Sequence, residues 1–95
     1  MTKEECIIKP KGKLGVLTPV DVINEYIEQV KNTKAEVVIM DLSGSPFIDS
    51  SGISFMIKIH KLCKSNNKYF SVTNCNSLIK NLLCDLNLDR NIPIS

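Results

Sequence analysis

Four consecutive residues, Asp49-Ser50-Ser51-Gly52, are the part of this sequence best placed to do chemistry. An apolar segment at residues 36–42 predicts a buried strand before them, and helical spacing predicts an amphipathic helix from about Ser51 to Lys64. The four residues therefore lie at a helix N-terminus, where the first N–H groups lack partners and the helix dipole favours negative charge. A serine hydroxyl at this position can cap the helix, and it can equally become a phosphoserine.

The sequence gives little support for catalysis. His60 is the single histidine, and it lies more than two helical turns beyond Ser50, too far to act as its general base. The GxSxG, P-loop and GxGxxG patterns are absent. Asp41 and Asp49 flank the loop and could form an acid pair on paper, but Asp49 is better explained as a turn or capping residue. We therefore expect a protein that is not an enzyme and that needs no cofactor.

The cysteine pattern argues against a metal site. No two of the four cysteines form a CxxC pair, whereas zinc ligands usually occur in close pairs. We expect free thiols that pack as small apolar side chains. Without a visible signal peptide, such thiols favour the reducing cytoplasm. The cysteines are Cys6, Cys63, Cys75 and Cys84.

Charge and hydropathy limit the partners. The net charge is +2 and no run of Lys or Arg forms a basic patch, so we expect no direct nucleic-acid partner. The longest apolar runs are far shorter than a membrane span, so we expect no membrane insertion.

The first half of the chain predicts a strand, a helix and a second strand. Residues 6–8 should form a strand that Pro10 confines to a sheet edge or bends. A helix should follow, with Thr18 as its N-cap and Asp21 as the acid of a capping box. Its apolar face holds Ile23, Tyr26, Ile27 and Val30. The strand at 36–42 is apolar on both faces, so we expect it to be central and covered.

The second half predicts two helices and two strands. The helix after the serine pair has an apolar face of Ile53, Met56, Ile57, His60 and Cys63, with Lys58, Lys61 and Lys64 on its solvated face. Residues 69–73 should form the next strand. A last helix should begin near Ser77, with Leu78, Leu82, Leu83 and Leu86 on its apolar face. Residues 91–94 close the chain as a short edge strand.

This alternation of helices and strands implies parallel strands joined by right-handed crossovers. A chain of 95 residues is one small domain. We expect a single α/β domain over residues 1–95, with a mixed, mostly parallel sheet packed with amphipathic helices.

Two segments resemble the signature of STAS domains. They are Val37-Val38-Ile39-Met40-Asp41-Leu42-Ser43 and Phe47-Ile48-Asp49-Ser50-Ser51-Gly52-Ile53. The likeness is to the stand-alone anti-sigma factor antagonists, in which a strand ending in Asp-Leu-Ser leads to an aromatic residue, an apolar residue and Asp-Ser-Ser-Gly. It extends from about Cys6 to the end of the chain.

The resemblance implies a switch protein. The serine directly after the motif aspartate accepts phosphate in this family, and here that residue is Ser50. The unphosphorylated form would sequester an anti-sigma factor that is also a serine kinase, which frees a sigma factor. Phosphorylation would break the complex, and a phosphatase would restore it. Asp49, Ser50, Ser51 and Gly52 would then form the partner-binding site.

The resemblance leaves an alternative and shows two departures. STAS domains also serve as docking subunits of lipid-transport ATPases or of stressosomes, which is the alternative function.

The family often carries Gly-x-Leu-Asp before its first helix, whereas this chain has Gly12-Lys13-Leu14-Gly15. We expect the family's opening strand to be missing or reduced to Met1–Glu5, which would leave an edge open to pairing; we nevertheless expect a monomer rather than a homodimer.

Overall fold

The computed structural model describes residues 4–95 and confirms the α/β fold class. Strands alternate with helices along the chain, and a 3₁₀ turn follows the last helix. The elements are β1 (Glu5–Ile8), α1 (Val20–Asn32), β2 (Val37–Asp41), α2 (Ser50–Ser65), β3 (Tyr69–Thr73), α3 (Ser77–Asp85) and the 3₁₀ turn Leu88–Arg90. The prediction that the family's opening strand is missing or reduced to Met1–Glu5 concerns residues that lie mostly outside the described ones.

The three strands form a parallel sheet in the order β1-β2-β3. In its register Ile7 lies beside Ile39, which lies beside Ser71. The predicted edge strand at the C-terminus is reduced to one parallel bridge, between Val72 and Ile94. Because neighbouring strands follow one another in sequence, right-handed crossovers place α1 and α2 on the same face of the sheet. The six strand residues that face these helices are buried: Cys6, Ile8, Val38, Met40, Phe70 and Val72.

The opposite face of the sheet is less covered than the apolar sequence of β2 predicts. The central position of β2 is confirmed. Val37 and Ile39 are only half-buried, however, and Ile7 and Tyr69 on the flanking strands are exposed. The prediction of cover on both faces was wrong because consecutive crossovers bring the helices to one side.

Helix α1 starts without the predicted capping box. Pro19 occupies the N-cap position, and no side chain caps the helix there. The hydroxyl of Thr18 instead accepts the backbone N–H of Gly15 at 3.0 Å, within the preceding loop. The predicted core face of α1 is confirmed, since Ile27 and Val30 are buried and Ile23 and Tyr26 pack against the core.

The core face of α2 is partly displaced from the predicted one. Met56 and Cys63 are buried as expected, but so are Phe55 and Ile59, which the sequence pattern missed. The predicted residues Ile53, Ile57 and His60 are only half-buried. Lys58, Lys61 and Lys64 are exposed as predicted.

Helix α3 is rotated relative to the prediction. It buries Ile79 and Leu83, whereas Leu78 and Leu86 remain exposed.

The four cysteines are free thiols, as predicted; two are buried and two are half-buried. Over residues 4–95, no helix has both the length and the apolar content that crossing a membrane requires.

Candidate functional site

Asp49 is the N-cap of α2, as its turn-or-cap interpretation predicted. One carboxylate oxygen, Oδ1, accepts the backbone N–H of Gly52 at 3.0 Å. The backbone carbonyl of Asp49 accepts the N–H of Ile53 at 2.9 Å, which is the first bond of the helical ladder. The bond from Gly52 satisfies a donor of the first turn that has no partner within the helix. The position of Asp49 therefore determines where Ser50 and Ser51 lie.

The other carboxylate oxygen of Asp49 holds a distant loop. Oδ2 accepts the backbone N–H of Val16 at 3.0 Å. Two backbone bonds add to this link: Leu14 donates to the carbonyl of Phe47 at 3.0 Å, and Asp49 donates to the carbonyl of Leu14 at 3.1 Å. We call residues 12–18 the pinned loop. It forms one wall of the site, and sequence reasoning did not place it there.

Two glycines make the close approach between the pinned loop and α2 possible. Gly15 has φ +155°, a conformation that L side chains rarely adopt, and a Cβ there would overlap the carboxylate of Asp49. A Cβ on Gly52 would overlap the carbonyl oxygen of Leu14. The glycine that replaces the family's acid at position 15 therefore lies against the motif aspartate.

Gly52 does not lie where a partner would touch it. It was predicted as part of the partner-binding site, but it is buried beneath the pinned loop. Its missing side chain makes room for this chain's own backbone around Leu14.

The loop that leads into the site is anchored by polar side chains at both sides. Ser45 is fully buried, and its hydroxyl donates to the carbonyl of Gly12 at 2.6 Å. Asn76 donates from Nδ2 to the carbonyl of Pro46 at 2.8 Å, while its Oδ1 caps α3 by accepting the N–H of Ile79. The residues before the motif are thus held by the pinned loop on one side and by α3 on the other.

Ser50 and Ser51 are the first two residues of α2, and both are exposed. Apolar side chains of the pinned loop and of the segment before the motif are also exposed. Val16 and Leu17 of the pinned loop are each 73% exposed, and Phe47 is 56% exposed. Exposed apolar residues grouped beside polar ones are typical of a protein-docking surface.

Asp49 brings a negative charge to this surface. The N–H groups of Val16 and Gly52 lower the pKa of its carboxyl below the ordinary value, and these hydrogen bonds outweigh the opposing effect of burial. Weaker contributions come from the N–H of Ser51 and the charge of Lys13. Asp49 is therefore ionised at neutral pH, one residue before Ser50 in the chain.

Asp41 lies at the end of β2 and does not pair with Asp49. Its Oδ1 accepts the backbone N–H of Ser43 at 2.9 Å and the side-chain amide of Asn74 at 3.0 Å. These bonds lower the pKa of Asp41 and give its carboxylate a structural role at the end of the strand.

His60 packs on the ring of Phe70, with the ring centroids 6.1 Å apart. It lies ten residues along α2 from Ser50, or about 15 Å of helix. Among residues 4–95, no three His, Cys, Asp or Glu side chains group as metal ligands would.

The fold and the motif at the start of α2 together define a class of protein. A sequence model of the STAS domain matches residues 2–95. The chain belongs to the STAS domain family, as its motif indicated. Among curated protein sequences, none matches this chain at a significant level.

Solved structures share this fold. The NMR structure of the protein TM1081 superposes with a TM-score of 0.81 at 21% identity, over 100% of this chain and 76% of that one. The SulP transporter STAS domain from Vibrio cholerae gives a TM-score of 0.75 at 13% identity, over 100% and 76%. A sulfate transporter family protein from Wolinella succinogenes gives 0.74 at 12% identity, over 90% and 69%. Identities this low show the fold alone.

Proposed function

We propose that this chain is an anti-sigma factor antagonist switched by phosphorylation of Ser50. Its unphosphorylated form sequesters an anti-sigma factor that is also a serine kinase, and so releases a sigma factor in the cytoplasm. The kinase transfers the γ-phosphoryl group of ATP to the oxygen of Ser50, which loses its proton, and ADP leaves. A phosphatase hydrolyses the phosphoserine and restores binding.

One observation carries this proposal: Ser50 is exposed on the first turn of α2, beside an ionised carboxylate and among exposed apolar side chains. A phosphate there adds about −1.5 to −2 charge to a surface that already holds Asp49. In water, the helix dipole tolerates that charge. In an interface it would be desolvated beside a like charge, so the complex would dissociate while the fold persists.

The neighbouring serine provides a matched control for the phosphorylation test. The cognate kinase and ATP are incubated with the wild type, Ser50→Ala and Ser51→Ala, and phosphate uptake is measured by mass spectrometry. We expect phosphate on the wild type and on Ser51→Ala, and none on Ser50→Ala. Unchanged uptake by Ser50→Ala would refute the assignment of the acceptor.

A binding test measures whether charge at position 50 controls the complex with the kinase. Ser50→Asp should weaken binding to the kinase more than Ser50→Ala does, because only the aspartate adds charge to the interface. A pull-down with the two forms, read by mass spectrometry, identifies proteins that the alanine form alone retains. Equal retention by the two forms would contradict a charge-based switch.

A second function is a docking subunit of a larger assembly, such as a lipid-transport ATPase or a stressosome. The same fold occurs in transporter proteins, since one structural neighbour is a SulP transporter STAS domain and another is a sulfate transporter family protein. In that case the pull-down would retain a transporter or scaffold protein, and both forms of position 50 would bind it.

A further inference from the structure

A groove next to the pinned loop carries features that the proposed function does not use. It has a volume of about 370 Å³ and lies between the end of β1, the pinned loop and the start of α1. Its floor is apolar and its rim is basic. Its lining residues are Pro10, Lys11, Lys13, Leu17, Thr18, Pro19, Val22 and Tyr26.

The floor of the groove is a rigid apolar surface. Pro10 is fully buried, and the hydroxyl of Tyr26 donates to the carbonyl of Lys9 at 3.3 Å. The ring of Tyr26 also packs against Phe55, with the centroids 6.1 Å apart. A surface already fixed by the core loses little entropy when a side chain docks on it.

The rim of the groove is positively charged. Lys11 and Lys13 stand on one side, and none of the described residues that line the groove is acidic. Glu25 lies close enough to the floor for its charge to add to the effect of burial in raising the pKa of Tyr26. A partner segment that fits must therefore offer an apolar side chain with acidic neighbours.

The groove and the serine site share the pinned loop. Leu17 and Thr18 line the groove, while Val16 is bonded to Asp49. Lys13 belongs to the rim and lies close enough to Asp49 for its charge to act on that carboxylate. A partner seated on Ser50 is therefore placed beside the groove at the same time.

We propose that this groove binds an acidic segment of the partner protein, with one apolar side chain inserted on the floor beside Val22 and Tyr26. The proposal rests on the proposed function for the partner's identity, a kinase that docks at Ser50. The acids of the segment pair with Lys11 and Lys13. A phosphate on Ser50 would repel the same acids, so the groove would make partner release more complete.

The test uses a synthetic peptide as the probe, with one leucine between two pairs of aspartates. It is titrated into the ¹⁵N-labelled chain while amide shifts are recorded. We expect shifts at Leu17, Val22 and Tyr26, and about a tenfold loss of affinity in the Lys11→Glu/Lys13→Glu variant. A peptide with lysines in place of the aspartates should not bind.

The groove between α1 and α2 provides the matched control. It has a similar volume of about 400 Å³ and is also basic, with Lys58 and Lys61 in its lining. Lys58→Glu/Lys61→Glu should leave the peptide affinity unchanged. Shifts confined to that groove, or equal binding of the lysine peptide, would overturn the proposal. So would the absence of binding at millimolar peptide.

A final measurement, of vesicle binding, distinguishes a protein partner from a lipid surface. If phosphatidylglycerol vesicles bind through Lys11 and Lys13 while the peptide does not, the groove is a lipid site and the proposal is wrong. The titration needs no phosphate, so its result is independent of the switch. A chain that binds the peptide but never accepts phosphate at Ser50 would refute the proposed function and leave the groove's chemistry supported.

Discussion

The carboxylate of Asp49 accepts the backbone N–H of Val16 at 3.0 Å, across 33 positions of sequence. The same carboxylate caps α2 through Gly52. One side chain therefore fixes both the helix that presents Ser50 and the loop that forms the wall beside it. Removing this side chain should therefore alter the two elements together.

Asp49→Asn should separate these two tasks. An asparagine side chain has one acceptor oxygen, so it can serve the N–H of Gly52 or that of Val16 but not both in the geometry of a carboxylate. We expect faster hydrogen exchange at Val16 with Gly52 still protected, and faster exchange at both amides in Asp49→Ala. Asp21→Asn, at an exposed acid in the first turn of α1, is the control and should change neither amide. Protection of Val16 in Asp49→Ala would show that backbone bonds alone hold the loop.

The stability of the chain should depend on the charge of Asp49 at acidic pH. Because the folded state lowers the pKa of this carboxyl below its ordinary 3.8, the ionised form favours folding. That contribution is complete above 3.8 and is lost as the pH falls through the lower folded value. Urea unfolding should therefore show a stability gap between the wild type and Asp49→Asn that is wide at pH 6 and narrows at pH 3. A gap that widens in acid would have the opposite sign and contradict the assignment.

Gly15→Ala should displace the pinned loop, whereas Gly12→Ala should not. An alanine at Gly15 would overlap Asp49, while at Gly12 (φ +68°) a Cβ meets nothing within 4 Å. Gly12→Ala should cost only the strain of a left-handed residue, about 1–2 kcal/mol. Gly15→Ala should cost more and also break the bond between Val16 and Asp49. Amide exchange at Val16 with urea unfolding measures both effects; equal behaviour of the two variants would show that the loop moves aside freely.

The sequence predicted the elements well and their rotations less well. Order and parallel direction followed from the alternation of apolar segments and helical patterns. The buried face of α2 was predicted only in part, at Met56 and Cys63, because Ile57 and Ile59 are equally apolar and only packing against the sheet buries Ile59. The same ambiguity among leucines and isoleucines misplaced the face of α3.

The site was predictable only where its signals are local. Asp49 is followed by a helical pattern, and its capping role could be read directly. The contact of the pinned loop joins positions far apart in sequence, and no local pattern encodes it. Gly15 was one available signal, since a glycine in place of an acid can indicate close contact between backbones. Thr18 misled the prediction because its hydroxyl satisfies an N–H within the loop in place of the helix.

Ser50→Glu should leave the fold intact, which the proposed switch requires. At the first position of α2, the dipole favours a negative charge by about 0.3–1 kcal/mol, and the charge of Asp49 opposes it. We therefore expect a change in unfolding free energy below about 1 kcal/mol in urea. Ser65→Glu is the matched control, because Ser65 is exposed at the last position of the same helix, where the dipole disfavours the charge. It should lower the free energy of unfolding more than Ser50→Glu does. If Ser50→Glu unfolded the chain while Ser65→Glu did not, phosphate would act by disrupting the helix start, and release of the partner would follow from lost structure and not from charge in the interface.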